Sequence, residues 1–240
     1  MKESFQYILN TYNGLGRTVD SSTRTYQELA HKLPLEIKDL FKNREDLIIK
    51  GSMGSGNRNA YPWISILNRN VTVTTQKGLY VVFLFKKDMS GFYLTLNQGI
   101  TNFRNLYGKD RYQNAQKVSD YFRSEITDTS FSKDPIFLGT TRGDLGYGYE
   151  RTTVLQTYYP SGQISDTVLR NDLLEMMDIY DSIVKHFDSS SYDTVIQRVL
   201  AQEMEQMIPA EEAVERIREI VDPDNDLPFG FNRQLELVKP

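Results

Sequence analysis

"KGLYVVFLFKK", residues 77–87, decides how the rest of the chain is read. Alternation along a strand sends Tyr80, Val82 and Leu84 to one face and Leu79, Val81, Phe83 and Phe85 to the other. Both sets are apolar, so the segment reads as a central strand covered on both sides. Outward from it lie "DLIIKGS" (46–52), "PWISILN" (62–68) and "GFYLTLNQG" (91–99), short β-branched and aromatic runs separated by turn residues. Residues 152–159 read as another strand. This spacing predicts an antiparallel meander rather than βαβ units.

Helical patterns flank the strands. Phe5, Ile8, Leu9 and Tyr12 recur at helical spacing, and "TYQELAHKLPLEIKDLFK" (25–42) reads as two short helices interrupted at Pro34. Ala115, Val118, Phe122 and Ile126 stripe a helix over about 112–126. The stretch containing "LGYGYE" is irregular. "VLRNDLLEMMDIYDSIVKHF" (168–187) is a strong amphipathic helix, and after the break "DSSSYD", which supplies an N-cap, "TVIQRVLAQEMEQM" is another. "PAEEAVERIREI" begins a third helix, and the final proline-rich, acidic stretch reads as a linker or tail. The expected fold class is α+β: a twisted antiparallel β-sheet flanked by helices, with an acidic helical C-terminal extension.

The 240 residues are long enough to bury a sizeable core, with hydrophobic residues at 39% and charged ones at 25%. No apolar run approaches the ~18 residues of a membrane helix, and the first residues lack the apolar stretch of a secretory signal. The absence of cysteine removes disulfides and thiolate metal sites, and it fits a cytoplasmic protein. The net charge of −4 hides an asymmetry. Residues 50–150 hold 13 Lys and Arg against 8 Asp and Glu, whereas residues 163–240 hold 7 against 17. The middle of the chain therefore remains compatible with a polyanionic partner.

Little in the sequence points to catalysis. "GSMGSGN" (51–57) is glycine-rich, but Asn57 and Arg58 follow Gly56 where a P-loop needs Lys-Ser/Thr, and no parallel βαβ unit surrounds it. His31 and His186 fall on separate predicted helices without zinc-site spacing. Glu36 and Lys38 in "EIK" resemble the end of a metal-dependent nuclease motif, yet they sit in a helical pattern that a solvated face explains better. No catalytic set, metal site or cofactor is expected. What remains is a flexible glycine loop running into Trp63, the single tryptophan, and then into aromatic strands.

In order and spacing, "GSGN…YPWISIL…TTQKGLYVVFLF…GFYLTLNQG" resembles the N-terminal DNA-binding domain of McrB-like, methylation-dependent restriction proteins. "TYQELAHKLP" upstream resembles that family's helix before the loop. "LGYGYERTTVLQTYY" and "LLEMMDIYDSIV" resemble its closing strand and helix, so the likeness covers about residues 1–187. The resemblance implies duplex DNA containing a modified base, 5-methylcytosine or a derivative, flipped into an aromatic pocket. Carried over by position, Trp63, Tyr80, Leu84 and Tyr149 match the pocket, with Tyr147 an alternative for the last. Gly54, Ser55, Gly56 and Asn57 match the loop that approaches DNA, with Lys50 and Arg58 placed for phosphate contacts. Ser55 stands where a member of that family has a bulky aromatic, which leaves Met53 or Arg58 to fill the gap of the flipped base.

The expected domains are a DNA-binding domain (1–187), an acidic helical extension (188–221) and a linker or tail (222–240). The resemblance further implies a non-enzymatic recognition module, with a GTPase or nuclease supplied by a fused domain or partner subunit. The alternatives from other classes are a protein-interaction module of a defence complex and a nuclease subunit.

Overall fold

A computed structural model describes residues 1–185 and 191–207 of the chain. Five strands form one sheet in sequence order, β1 (Leu47–Ser52), β2 (Trp63–Asn68), β3 (Leu79–Phe85), β4 (Gly91–Gln98) and β5 (Leu155–Pro160), every pair antiparallel. The meander expected from the spacing is therefore present, and with its flanking helices the protein is α+β. All seven residues of β3 are buried, as its two apolar faces require. No helix among the described residues is long and apolar enough to cross a membrane.

One face of the sheet is closed by helices. On α1 (Lys2–Thr11), Phe5 is fully buried, stacking on Phe92 at 4.2 Å and lying 5.0 Å from Phe83. Helix α7 (Asp166–Lys185) buries Leu169, Leu173, Met176 and Tyr180, and the Tyr180 hydroxyl donates to the Leu79 carbonyl at 2.7 Å. Between α1 and β1 the chain forms α2 (Arg24–Gln27), a π-helical turn at Glu28–Lys32 and α3 (Leu33–Leu40). Pro34 does not interrupt this segment, contrary to expectation. Helix α3 runs on directly from the π-helical turn, whose wider turn bonds the Leu33 N–H to the Glu28 carbonyl and takes up the distortion that the missing Pro34 N–H imposes. Glu36, on α3, pairs with the Met1 amino group at 2.9 Å.

The other face is closed by the long crossing from β4 to β5. It carries α4 (Ile100–Tyr107), α5 (Arg111–Glu125), the extended segment 135–140 and α6 (Leu145–Thr152). Helix α6 corrects the irregular reading of "LGYGYE". Two glycines lower its helix propensity, but a Cβ at Gly146 would come within 2.8 Å of Thr140 and 3.1 Å of the Tyr61 ring. The glycine admits a close helix packing that propensity alone opposes.

The chain divides into two compact units, residues 1–197 and 198–240. The first reaches past the boundary expected at 187, because Tyr192, at the start of α8 (Tyr192–Met207), hydrogen-bonds Gln98 Oε1 at 2.5 Å and stacks with Phe122. Ser191 caps α8 by accepting from the Thr194 N–H at 3.2 Å, so the expected cap and helix are present. His186, the third acidic helix and the expected tail at 222–240 lie outside the described residues.

Candidate functional site

Trp63 opens β2 directly opposite Leu84 of β3, and Leu84 lies opposite Tyr93 of β4. All three point to the face covered by the β4–β5 crossing. Tyr80, Val82, Leu84, Leu67, Ile136 and Leu138 form a buried cluster there, and Trp63 and Tyr149 pack against its edge. Trp63 and Tyr149 also wall a cavity of about 160 Å³. Tyr61 and Gly146 continue the wall, while Asn59, Thr75, Gln76 and Thr101 place polar groups around it.

The four expected pocket residues thus divide into two pairs. Trp63 and Tyr149 are half-buried and line the cavity. Tyr80 and Leu84 are 0% exposed and stand behind the wall. The Tyr80 hydroxyl donates to the Thr75 carbonyl at 2.8 Å and lies 3.1 Å from the Tyr149 hydroxyl, so it fixes both the tyrosine and the turn that carries Gln76. Burial pushes the Tyr80 phenol well above its ordinary pKa, with Tyr149 adding to the shift, and burial raises Tyr149 as well. Both remain neutral hydroxyls. Tyr147 points elsewhere, meeting Tyr112 edge-on at 5.1 Å.

Several contributors carried no signal in the sequence. Tyr61 donates to Asp144 Oδ2 at 2.7 Å, and the Thr141 N–H donates to the same carboxylate oxygen at 2.9 Å. That N–H and then the phenol hold Asp144 below its usual carboxylate value, while burial and the carboxylate raise Tyr61. Asn97, fully buried on β4, donates to the carbonyl of Tyr149 at 3.2 Å and to Thr153 Oγ1 at 3.0 Å, tying α6 to the sheet. Glu150 Oε1 accepts from the Leu138 and Thr140 amides, at 2.7 and 3.2 Å, and pins the covering segment. The Tyr61 and Asn97 bonds join parts of the chain far apart in sequence, and the Asp144 and Glu150 bonds depend on loop backbone geometry, so no periodic pattern announces them.

The glycine loop stands beside this cavity, reaching it through Asn59. Gly54 has φ +111°, and a Cβ there would lie 2.3 Å from the Asn57 carbonyl oxygen, so only glycine closes this turn. Most of the loop's amides are already used. Gly54 N–H donates to Ser52 Oγ at 3.1 Å, Asn57 N–H to Ser55 O at 3.2 Å, Arg58 N–H to Arg17 O at 2.7 Å, and Asn59 N–H to Met53 O at 2.6 Å. Among the described residues, Ser55 and Gly56 N–H have no intramolecular acceptor, and Ser55, Gly56 and Asn57 are exposed.

Met53 is 1% exposed, which removes it as a side chain that could reach outward without rearrangement. Arg58 is half-buried. Its Nε donates to the Gly16 carbonyl at 3.0 Å and its guanidinium lies 4.7 Å over the Tyr12 ring, whose phenol burial pushes up to about 12. Lys50 is exposed on edge strand β1, opposite Ser65 and on the Trp63 face of the sheet. Among the described residues no group of three or more His, Asp or Glu could hold a metal ion.

An aromatic cavity and an adjoining glycine loop thus lie beside a helical crossing over a five-stranded antiparallel meander. The model of the MrcB-like N-terminal domain family matches residues 7–185, and the chain belongs to that family. Membership relates its role to McrB-type restriction, a DNA-binding restriction context in which the N-terminal domain of McrB-like proteins is a non-catalytic module. Among proteins of curated function, none matches the sequence significantly.

Proposed function

We propose that this chain is the DNA-recognition domain of a bacterial modification-dependent restriction system. It reads a modified base, 5-methylcytosine or a derivative, flipped from the duplex into the Trp63–Tyr149 cavity. The observation that carries this reading is the cavity itself: aromatic walls with polar side chains grouped around them. A flipped base loses a few kcal/mol of stacking and pairing, and an aromatic face returns about 1–3 kcal/mol per stacked base.

The rest of the site supports the same task. Trp63 and Tyr149 supply the apolar surface, and the Gln76 carboxamide, Asn59 and Thr101 are placed to read the edge of the base. Tyr80 and Leu84 hold those walls from behind. A single methyl group contributes only about 0.8 kcal/mol of burial, so the polar groups carry much of the discrimination. Exposed Lys50 and the free amides of Ser55 and Gly56 meet phosphates, while Arg58 contributes through its anchored guanidinium. The chemistry that follows recognition, GTP hydrolysis and DNA cleavage, falls to a fused domain or partner subunit.

The test is a mobility-shift panel of duplexes differing at one base: C, 5-methyl-C, 5-hydroxymethyl-C, A or N6-methyl-A. The wild-type chain is expected to prefer one modified duplex. Trp63→Ala is expected to abolish that preference and keep part of the salt-dependent binding. Equal, weak binding to every duplex sinks the reading. A second reading, a protein-interaction module, is favoured by Phe137, which is 65% exposed with its backbone N–H on the Tyr93 hydroxyl. It predicts no DNA affinity at any salt concentration.

A further inference from the structure

Arginines and tyrosines alternate along the outside of the β4–β5 crossing. The Arg111 guanidinium lies 4.5 Å from the centre of the Tyr112 ring, Tyr112 meets Tyr147 edge-on at 5.1 Å, and the Arg151 guanidinium lies 4.8 Å over Tyr147. The row runs from α5 to α6. At its Arg111 end, exposed Arg104 of α4 joins Arg111, Tyr112 and Asp144 around a cleft of about 300 Å³. Ile100 and Thr101 line both this cleft and the Trp63–Tyr149 cavity, so the two adjoin.

The carboxylates of this region are turned to structural work. Asp144 accepts from Tyr61 and Thr141, and Glu150 from Leu138 and Thr140. Among the described residues, Arg104, Arg111 and Arg151 form no ion pair, although the Asp144 carboxylate lines the cleft with Arg104 and Arg111, Glu150 lies with Arg151 beside Tyr147, and Asp110 precedes Arg111 at the start of α5. A row of arginines without salt-bridge partners, two of them held on aromatic rings, suits a phosphodiester backbone. Each ring restrains a guanidinium through its π face; Arg111 spends one Nη1–H on the Gly108 carbonyl at 2.8 Å and keeps its other donors for an anion.

We infer that Arg104, together with Arg111 and Arg151 held on Tyr112 and Tyr147, forms a track for the DNA phosphates that flank the flipped nucleotide. This rests on the cavity reading above and adds a binding surface that the glycine loop does not provide. Asn59, two residues beyond the loop, and Ile100 and Thr101, shared with the cleft of Arg104 and Arg111, all line the cavity. A duplex held at both places presents the intervening nucleotide to the cavity.

The experiment measures binding of the preferred modified duplex and its unmodified twin against salt concentration. It compares the wild-type chain with R111Q/R151Q, R111K/R151K and R104Q. Loss of two phosphate contacts is expected to reduce the log–log salt slope by about 1.8, and R104Q alone by about 0.9. Binding to both duplexes should weaken nearly equally, leaving their ratio unchanged. The lysine pair keeps the charge and should keep most of the slope. An unchanged slope in R111Q/R151Q that unfolds at the wild-type temperature overturns the track and leaves the cavity reading standing. If that variant does not fold, R104Q decides by the same criterion. A lysine pair that loses as much slope as the glutamine pair also overturns the track. Failure of the wild-type chain to bind any duplex at any salt overturns both readings together.

Discussion

Strand β3 sends Phe83 and Phe85 to one face of the sheet and Tyr80, Val82 and Leu84 to the other, and the two faces are closed differently. On the helical face, Phe5, Phe83, Phe85 and Phe92 meet at centroid distances of 4.2–6.0 Å beneath α1, filling the space completely with ring. On the other face the rings carry hydroxyls, the cover is an extended segment and a glycine-containing helix, and a cavity remains. Aromatic content is similar on both sides. Bonded phenols occur beneath the helices too, where Tyr180 and Tyr159 donate to Leu79 and Asp172, so hydroxyls alone do not make a site. On the cavity face they combine with an irregular cover, and satisfying them there fixes walls around a space instead of filling it.

The sharpest way to break this comparison is to damage the solid face alone. Phe5→Ala is expected to cost about 3–5 kcal/mol, the range for deleting a buried aromatic ring, read as a lowered midpoint in urea unfolding. The fraction that stays folded should keep its preference among modified duplexes. Loss of preference in step with stability would show that the cavity depends on the helical face, and that the two sides are not separable.

That division was only partly legible in the sequence. Alternation in 77–87 assigned every side chain of β3 to its correct face, because a strand's period is local and unambiguous. Trp63 and Tyr149 as candidate wall residues came from a resemblance, and the structure puts both at the cavity. The same resemblance grouped Tyr80 and Leu84 with them, yet these lie behind the wall, since facing a site and reaching it are different properties. The sequence of helix α6 reads as irregular because Gly146 and Gly148 oppose helix formation, and their packing against Tyr61 and Ile100 is tertiary. Tyr61, Asn97, Asp144 and Glu150 were missed for a related reason. Tyr61 and Asn97 meet partners more than 50 residues away, and Glu150 and Asp144 act on loop amides whose placement no periodic pattern marks.

On the cavity face, Tyr80→Phe tests the claim that hydroxyls hold the walls. The ring volume is kept, but the Tyr149 hydroxyl and the Thr75 carbonyl lose a partner at 3.1 and 2.8 Å. A cost of about 1–2 kcal/mol in unfolding is expected, in the range for a buried polar group left unpaired. DNA preference should fall as well, because the Thr75 carbonyl anchors the turn that bears Gln76. If stability drops while preference is untouched, Tyr80 is ordinary core and the distinction between the faces loses its chemical basis.

The smallest expected effect is a pH response confined to the cavity face. Asp144 is held below the ordinary carboxylate value, first by the Thr141 N–H and then by the Tyr61 hydroxyl. A carboxyl whose folded pKa is depressed contributes stability that is fully present above its unfolded value, near 3.9 for Asp. The contribution is lost as pH falls through the lower folded value. The Tyr61 wall should therefore stay fixed from neutrality down to about pH 4 and loosen only below it. Trp63 shares the cavity with Tyr61 and is the single tryptophan, so its fluorescence reports this directly. Asp166, held low by the Lys2 N–H and by Arg170 near the N-terminus of α7, titrates away from Trp63. In Asp144→Asn the Trp63 step below pH 4 should vanish while acid unfolding of the whole protein persists. A step that survives in this variant would assign the response to the whole fold, and would show that Asp144 does not govern the cavity wall.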